Sequence, residues 1–326
     1  MDSEELRLIT SYASLAPSVH NTQPWQFAVA GHTLEVRADV ERQLSYLDAS
    51  SRLLHLSCGA AIEFARLAVR VLGHACIVRL VPRADEPRLL ATLTIGGPDQ
   101  ASPMERQLLE AALRRYTDRG PYDDKPVPSD VIDRMRGAAA EVGCWVRVLD
   151  RPSDRLQATI LLQKAEEIEV GDPRYRQELG AWRRTGRSAD GIPARALPVW
   201  PQNRVCDVAL RDFDADDAPP AEKQWPEPPT VERDTLVLVG SEGDDRVSWL
   251  RSGRALAAVL LAATDAGVVA QPLGQVTDLP ATRLQLQRGL GLLGYPQLLL
   301  RMGYGHGWPA TGRRSVEETL SLGLNR

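Results

Sequence analysis

The feature that most constrains the fold of this chain is an internal repeat. The segment from Cys58 to Gly73 matches the segment from Ser252 to Gly267, and a glycine follows the first residue in both. Each segment is an apolar helical stretch that ends in glycine, a residue common after a helix C-terminus. A chain of 326 residues is long enough for two units that share one core.

A second match lies later in each unit, in the same order. Pro87-x-Leu-Leu precedes a strand pattern that ends at Gly96, and Pro296-x-Leu-Leu precedes one that ends at Gly303. Buried helices often end in glycine and strands often contain leucine, so chance similarity is the alternative. Several matches in one order favour duplication. We therefore predict an α+β fold of two tandem degenerate copies that form an intrachain pseudo-dimer.

Local patterns predict the elements around this repeat. Helical periodicity runs through EELRLITSYASLA, and alternating strands at WQFAV and LEVRA flank a hairpin at Gly31. A buried helix is expected from Asp48 onward, with Ser50 or Ser51 as its cap. Another helix is expected near Asp130 with Ser129 as its cap.

The chain divides into an N-terminal half, residues 1–104, and a C-terminal half, residues 105–326. The C-terminal half contains a proline-rich stretch, 182–230, that shows no sustained period. Such a stretch is either a solvated linker or an ordered lid, because loops of this length are usually functional or disordered. The lid is favoured by three tryptophans, Trp182, Trp200 and Trp225.

Composition excludes several classes of function. A net charge of -4 provides no field that would attract nucleic acid or an anionic membrane. The four cysteines are scattered and the histidines lack metal-ligand spacing, which favours a reducing compartment and no metal. The first residues are acidic and no apolar run is long enough to cross a bilayer, so the expected location is cytoplasmic.

Two basic segments are candidate phosphate sites. RRYTDR, residues 114–119, concentrates three arginines after a helical segment, and Arg313-Arg314 follows a flexible Thr-Gly pair. Guanidinium groups bind phosphate through charge-assisted, bidentate hydrogen bonds. The alternative for 114–119 is a solvated basic helix end that complements the helix dipole.

The segment Ala16–Phe27, APSVHNTQPWQF, places small hydrogen-bonding groups in a turn before a strand. It resembles the hallmark of the flavin-dependent nitroreductase superfamily. RRYTDR and the closing GRRSVEE resemble two further motifs of that superfamily, and QPLG stands where the family has a turn facing the flavin. The SVHNTQPW wording and the doubled length resemble the Acg-type branch, whose members are like a fused nitroreductase dimer with a lid over the flavin.

The resemblance implies that the chain binds FMN. It implies no catalytic protein side chain, because the flavin supplies the redox chemistry and the protein orients it. The residues that the family motifs place at the cofactor are Pro17, Ser18, Val19, Asn21, Gln23, Arg115, Tyr116, Thr117, Arg119, Pro272, Leu273, Gly274, Arg313 and Arg314.

The two halves carry complementary parts of this site. The first half has APSVHNTQPW and no RRxTxR upstream, whereas the second has RRYTDR and GRR but only AAAEVGCW in place of the Asn-Gln motif. The resemblance therefore implies one FMN per chain and a monomer that acts as its own pseudo-dimer.

Two functions remain open on the sequence. One is an oxidoreductase in which NAD(P)H reduces FMN and a nitroaromatic or quinone-like acceptor then reoxidises it in a ping-pong cycle. The other is a non-catalytic protein that binds or stores FMN, with 182–230 closing the flavin site.

Overall fold

The structure is a computed structural model that describes residues 2–197, 208, 210–213, 234–305, 307 and 310–321. Its strands form two main sheets. The first sheet contains β1 (Trp25–Ala30), β2 (Thr33–Ala38), β3 (His74–Leu80) and β4 (Leu89–Pro98). The second half contributes β5 (Cys144–Val148), the short pair β6 (Arg183–Arg184) and β7 (Ile192–Pro193), then β8 (Thr235–Ser241), β9 (Val269–Pro272) and β10 (Tyr295–Gly303).

The two main sheets follow the same path. The first has the order β1-β2-β4-β3 and the second has the order β5-β8-β10-β9, with every neighbouring pair antiparallel. Each sheet takes a long helix between its second and third strands. This shared topology confirms the predicted duplication. A final strand, β11 (Leu320–Ser321), returns from the C-terminal end and pairs in parallel with β1.

The helices pack between and around these sheets. Two of them are long and buried and occupy matching places in the two halves, α2 and α7. In chain order the helices are α1 (Ser3–Ser14), α2 (Arg52–Val71), α3 (Pro103–Ala112), α4 (Ser129–Ala140), α5 (Pro152–Gly171), α6 (Pro173–Ala181), α7 (Arg246–Asp265), α8 (Gln275–Asp278), α9 (Pro280–Gly289) and α10 (Val316–Thr319).

The two repeated glycines meet where α2 crosses α7. A Cβ added at Gly59 would lie 2.9 Å from the Cα of Gly253 and would also collide with the carbonyl oxygen of Leu250. The absence of side chains lets the two helices approach backbone to backbone. The repeat therefore builds the central contact between the halves, and one apolar core extends across it.

Both predicted serine caps are wrong. Ser51 stands before α2 with a left-handed φ of 64° and makes no capping hydrogen bond. Asp48 takes that role, because its carboxylate accepts the N–H groups of Leu53 and Leu54 at 2.8 Å each. Ser129 is already the first helical residue of α4, after Pro128. A cap needs extended backbone at the position before the helix, and neither serine provides it.

The connections within the two sheets differ greatly. β1 and β2 form the expected hairpin around Gly31, whose φ is 60°. β5 and β8 are joined by residues 149–234, which contain α5, α6 and the pair β6 and β7. Of the predicted lid, residues 198–207, 209 and 214–230 lie outside the described residues, as do Trp200 and Trp225. Within the described ranges, no helix is long and apolar enough to span a bilayer.

Candidate functional site

A cavity of about 780 Å³, counted with the open solvent at its mouth, lies between the two halves. The first half contributes the loop after α1 and the first turns of α2. The second half contributes the RRYTDR segment and the turn after β9. It also contributes Arg211 and Phe213 from the insertion, which is the connection between β5 and β8, residues 149–234. Of the residues predicted at the cofactor, those that line this cavity are Pro17, Ser18, Val19, Thr117, Arg119, Pro272 and Gly274.

The loop between α1 and β1 has an unusual backbone. His20, Asn21 and Gln23 all have left-handed φ angles, at 46°, 55° and 49°. Non-glycine residues adopt this region at a cost, and such residues concentrate at functional sites. Two hydrogen bonds hold the loop: the Val19 N–H donates to Ser57 Oγ at 3.2 Å, and the Gln23 N–H donates to Ser18 Oγ at 2.9 Å.

The Asn21 and Gln23 side chains join chain segments to one another and do not line the cavity. Asn21 Nδ2 donates to the carbonyl oxygens of Gly191 at 3.1 Å and Gly312 at 3.2 Å. Gln23 accepts the N–H of Arg314 at 2.8 Å. These bonds attach the insertion and the C-terminal segment to the loop of the first half. A direct contact of either side chain with a cofactor stays a prediction.

Arg115 and Arg313 come together although they are far apart in sequence. Both donate to the carbonyl oxygen of Leu15, at 3.4 and 3.1 Å. Burial lowers the pKa of Arg115 to about 10. Burial, and then the charge of Arg115, lower the pKa of Arg313 to about 9.

These two guanidinium groups lack an anionic partner within the described ranges. No carboxylate there forms an ion pair with either one, and the buried Nε of each has no hydrogen-bond partner. By contrast, Arg114 is exposed, with 57% of its side chain accessible. The solvated helix-end alternative thus describes Arg114, whereas Arg115 and Arg313 form a partly desolvated cationic pair that an anion would stabilise.

The segment after Arg115 lies along the edge of the second sheet. Thr117 forms a parallel bridge with Ala270, which directs this segment past the end of β9. Arg119 donates to the carbonyl oxygen of Ala196 at 3.3 Å, and burial lowers its pKa to about 10. Tyr116 does not line the cavity. Burial is the main cause of its raised pKa.

A buried arginine supports this segment from below. Arg301 donates to the carbonyl oxygen of Gly120 at 2.9 Å and lies 3.8 Å from the ring centre of Tyr122. It also forms an ion pair with Asp234. The hydroxyl of Tyr122 in turn donates to the carbonyl oxygen of Asp118 at 2.7 Å. The backbone that carries Thr117 and Arg119 is therefore fixed from within the sheet.

The remaining predicted residues have structural contacts. Leu273 is fully buried in the smaller apolar cluster, and its N–H donates to the carbonyl oxygen of Leu299 at 2.8 Å. Arg314 pairs with Asp39 at 3.4 Å. Neither residue lines the cavity, and their roles at a cofactor stay predictions.

Sequence reasoning missed several residues that line the cavity. His20 lies in the APSVHNTQPW loop, but the sequence gives it neither metal-ligand spacing nor a catalytic Ser-His-Asp or Cys-His arrangement. Leu53, Leu56 and Ser57 occupy one face of α2, and helical spacing from Gly59 could have indicated them. Five others carry no local signal, because they come from separate elements: Arg211, Phe213, Leu256, Asp278 and Leu298.

Within the part of the chain that the structure describes, no group of three or more His, Cys, Asp or Glu side chains is arranged to hold a metal ion. The chemistry that the lining can supply is cationic, apolar and hydrogen-bonding.

Comparison with known proteins places the chain in a family. It is 33% identical over 327 residues to "Putative NAD(P)H nitroreductase Rv3131" of Mycobacterium tuberculosis, a match that covers 98% of this chain and 92% of the relative. It is 29% identical to "Putative NAD(P)H nitroreductase acg" of the same organism, over 98% of this chain and 96% of the relative. The chain belongs to the nitroreductase family, in the group that includes these two full-length relatives.

Two other comparisons add less. No family model matches the chain. A solved nitroreductase with bound FMN from Desulfitobacterium hafniense is 12% identical to it, with a TM-score of 0.40, over 65% of this chain and 96% of that one.

Proposed function

We propose that this protein is an FMN-dependent oxidoreductase of the nitroreductase type, with one flavin held in the cavity between its halves. The observation that carries this proposal is the cationic pair, Arg115 and Arg313. The pair does not line the cavity, but both arginines donate to the carbonyl oxygen of Leu15, two residues before Pro17 in the cavity wall. Two converging arginines with unpartnered, buried Nε atoms would each gain a charge-assisted bond from a phosphate. The phosphate of FMN is an anion of the required kind, and the family membership supports this cofactor.

The other predicted residues would then orient the flavin ring. Pro17, Ser18 and Val19 present one wall of the cavity, and Pro272 and Gly274 present another. Arg119 has no carboxylate ion-pair partner in the described ranges, so its charge is available to a negatively charged group in the cavity. When bound, FMN would supply hydride and electron transfer between NAD(P)H and an acceptor.

We further infer a ping-pong cycle in which NAD(P)H and a nitroaromatic or quinone-like acceptor use the cavity in turn. Its support is that one cavity draws its lining from both halves. The chain would act as a monomer, because the contact between its halves takes the place of a subunit interface. The cytoplasmic location indicated by the cysteine pattern belongs to the same proposal.

The experiment is anaerobic reduction of the protein loaded with FMN. We expect released flavin to approach one FMN per chain, and NADH or NADPH to bleach the flavin absorption band rapidly. Bleaching by dithionite but by neither nucleotide would exclude the NAD(P)H activity and favour the storage function. Failure to retain FMN at all would overturn the cofactor assignment.

A further inference from the structure

The Asn21 side chain uses both of its hydrogen-bond donors inside the protein. Nδ2 donates to the carbonyl oxygens of Gly191 at 3.1 Å and Gly312 at 3.2 Å, and Oδ1 accepts from Arg313 Nη1 at 3.2 Å. A side-chain amide has only two N–H donors, so neither is left for a ligand. The reverse amide orientation would place the oxygen against two carbonyl oxygens. These contacts therefore fix Oδ1 as the atom that faces Arg313.

The Asn21 backbone is held in the same place as its side chain. Its carbonyl oxygen accepts the Gly191 N–H at 3.3 Å, and its φ of 55° is a left-handed value that asparagine tolerates better than most residues. Asn21 is only 7% exposed and does not line the cavity, whereas Pro17, Ser18 and Val19 of the same loop do. The loop thus presents one part to the cavity and buries another against the C-terminal segment.

The contacts of Arg313 leave one of its nitrogens for an anion. Nη1 donates to Asn21 Oδ1 at 3.2 Å and Thr311 Oγ1 at 2.8 Å, and Nη2 donates to the Leu15 carbonyl oxygen at 3.1 Å. The buried Nε has no hydrogen-bond partner among the described residues. The guanidinium is therefore held at both terminal nitrogens, and Nε is the donor that remains for the proposed phosphate.

Asn21 holds Arg313 in two ways. Its oxygen binds the guanidinium, and its nitrogen binds the carbonyl oxygen of Gly312, the residue before Arg313. One amide therefore fixes both the head and the backbone of the arginine. Because the amide is neutral, it orients the guanidinium without neutralising the charge that an anion would bind. An arginine held in this way loses less conformational freedom when the anion arrives.

We propose that Asn21 is a positioning residue that orients Arg313 for the flavin phosphate, rather than a residue that contacts the flavin. The first half would thereby control an anion site whose two arginines belong to the second half. This inference rests on the proposed function, because it takes Arg115 and Arg313 as the residues that bind the phosphate of FMN.

The test compares FMN with riboflavin, which has the same ring and lacks the phosphate. Fluorescence titration of the flavin-free protein gives both dissociation constants, and their ratio measures the contribution of the phosphate. We expect the wild-type protein to bind FMN at least about tenfold more tightly than riboflavin. Asn21→Asp keeps the size of the side chain and its tolerance of a left-handed backbone, but it places a carboxylate on Arg313. The preference for FMN should fall at least about fivefold, with riboflavin affinity within about threefold of the wild type.

Two further variants separate positioning from a general loosening of the loop. Asn21→Gly removes the amide without backbone strain and should lower the preference for FMN at least about threefold. Gln23→Gly is the matched control, because Gln23 also has a left-handed φ and bonds to Ala189 at 2.7 Å and to the Arg314 N–H at 2.8 Å. Its side chain does not contact Arg313, so this variant should keep the wild-type preference within about twofold.

A double-mutant cycle tests the route of the effect. In the Arg313→Ala background there is no guanidinium to orient, so adding Asn21→Gly should leave the FMN preference of that background unchanged. A further fall in the preference, equal to the effect of Asn21→Gly alone, would show that Asn21 does not act through Arg313.

The remaining outcomes separate this inference from the proposed function. Parallel weakening of both flavins in the Asn21 variants, or an equal loss of preference in Gln23→Gly, would overturn the positioning role. A wild-type protein that binds FMN and riboflavin equally lacks the phosphate site, and the proposed function then loses its main support together with this inference. A wild-type preference for FMN that survives Asn21→Asp removes the role of Asn21 alone.

Discussion

The sheets of the two halves have the same strand order but bury different side chains. Strands β1 to β4 contain no fully buried polar side chain. The second sheet, by contrast, buries Gln271, Gln297 and Arg301. Its first two strands are also joined by residues 149–234, where the first sheet needs only Gly31 and His32. The first sheet is therefore a regular apolar scaffold, whereas the second sheet carries buried polar side chains.

This difference shows how a duplicated fold can hold one asymmetric site. The strained loop after α1 comes from the first half, whereas Arg115, Arg119 and Arg313 come from the second. Neither half contains both parts. The contact between α2 and α7 brings the loop and Arg119 to one cavity, and Arg115 and Arg313 meet at the carbonyl oxygen of Leu15, two residues before Pro17 in the cavity wall.

The largest effect is expected at Arg301. Arg301→Met removes the buried ion pair with Asp234 and the hydrogen bonds to the Gly120 carbonyl oxygen and the Gln271 side chain, which should lower the free energy of unfolding by about 3–5 kcal/mol. Urea denaturation measures this loss. Arg136→Met removes an exposed pair with Asp133 and should cost no more than about 1 kcal/mol. Equal losses in the two variants would show that the buried polar groups of the second sheet are not important for its stability.

The second prediction concerns the cationic pair. Arg115→Ala or Arg313→Ala should weaken FMN binding by about 1.5–3 kcal/mol, which is roughly 10- to 150-fold in the dissociation constant. Fluorescence titration with FMN measures it. Arg114→Ala removes an exposed neighbour and should bind FMN as the wild type does.

A stability measurement sharpens this test. Without flavin, each of the Arg115 and Arg313 substitutions removes a buried like charge, which favours the folded state. Arg313→Ala also removes hydrogen bonds to Leu15, Asn21, Thr311 and Gly312, so Arg115→Ala is the variant expected to leave the flavin-free protein no less stable. Full flavin retention by both variants would refute the phosphate site. Loss of stability without flavin, with unchanged affinity in the folded fraction, would identify a structural role instead.

The third prediction concerns the contact between the halves. Gly59→Ala adds a methyl group against Gly253 and the α7 backbone, which cannot move without separating the helices. We expect a loss of about 1–3 kcal/mol in unfolding free energy. Gly137→Ala in α4 meets nothing within 4 Å and should be neutral or stabilising. Similar values for the two variants would mean that the helix crossing tolerates a side chain.

Sequence reasoning found the parts of this structure that are encoded locally. The glycines at 59 and 253 and the Pro-x-Leu-Leu motifs revealed the duplication, because each glycine lies within one helix and each motif lies at the start of one strand. The basic segments were visible for the same reason. Their convergence on the Leu15 carbonyl was not, since it depends on how the C-terminal segment returns to the first half.

The contacts of Arg211 and Phe213 in the insertion could not be predicted from sequence patterns. Phe213 and Arg211 have no periodic context, and Arg211 finds its partners on α5, α6 and α8. Tertiary contacts of this kind leave no spacing signal. The prediction of a serine cap at α2 was wrong for a related reason. Ser51 has a left-handed backbone, and the Asp48 carboxylate accepts the helix N–H groups in its place.

The two matching helices, α2 and α7, also differ at their N-termini. In both helices an aspartate carboxylate caps the N-terminus. Asp48 accepts the N–H groups of Leu53 and Leu54, and Asp245 accepts the N–H of Ser248 at 2.8 Å. Asp48 is buried, and burial raises its pKa to about 6. Asp245 is exposed, and its hydrogen bonds to Ser248 lower its pKa. The same capping chemistry therefore has opposite pH dependence in the two halves.

The smallest expected effect follows from this contrast. A carboxyl group whose pKa is raised on folding binds its proton more tightly in the folded state, so its contribution to stability is lost as pH rises through about 6. When the pH is raised from 5 to 7, ionisation of Asp48 should lower the free energy of unfolding by about 1 kcal/mol. Asp48→Asn should remove that decrease. Asp245→Asn should leave it unchanged, because Asp245 loses its proton at lower pH. Urea denaturation of the three proteins at both pH values measures the difference. The same decrease in Asp48→Asn as in the wild type would assign the pH dependence to other groups and remove this distinction between the halves.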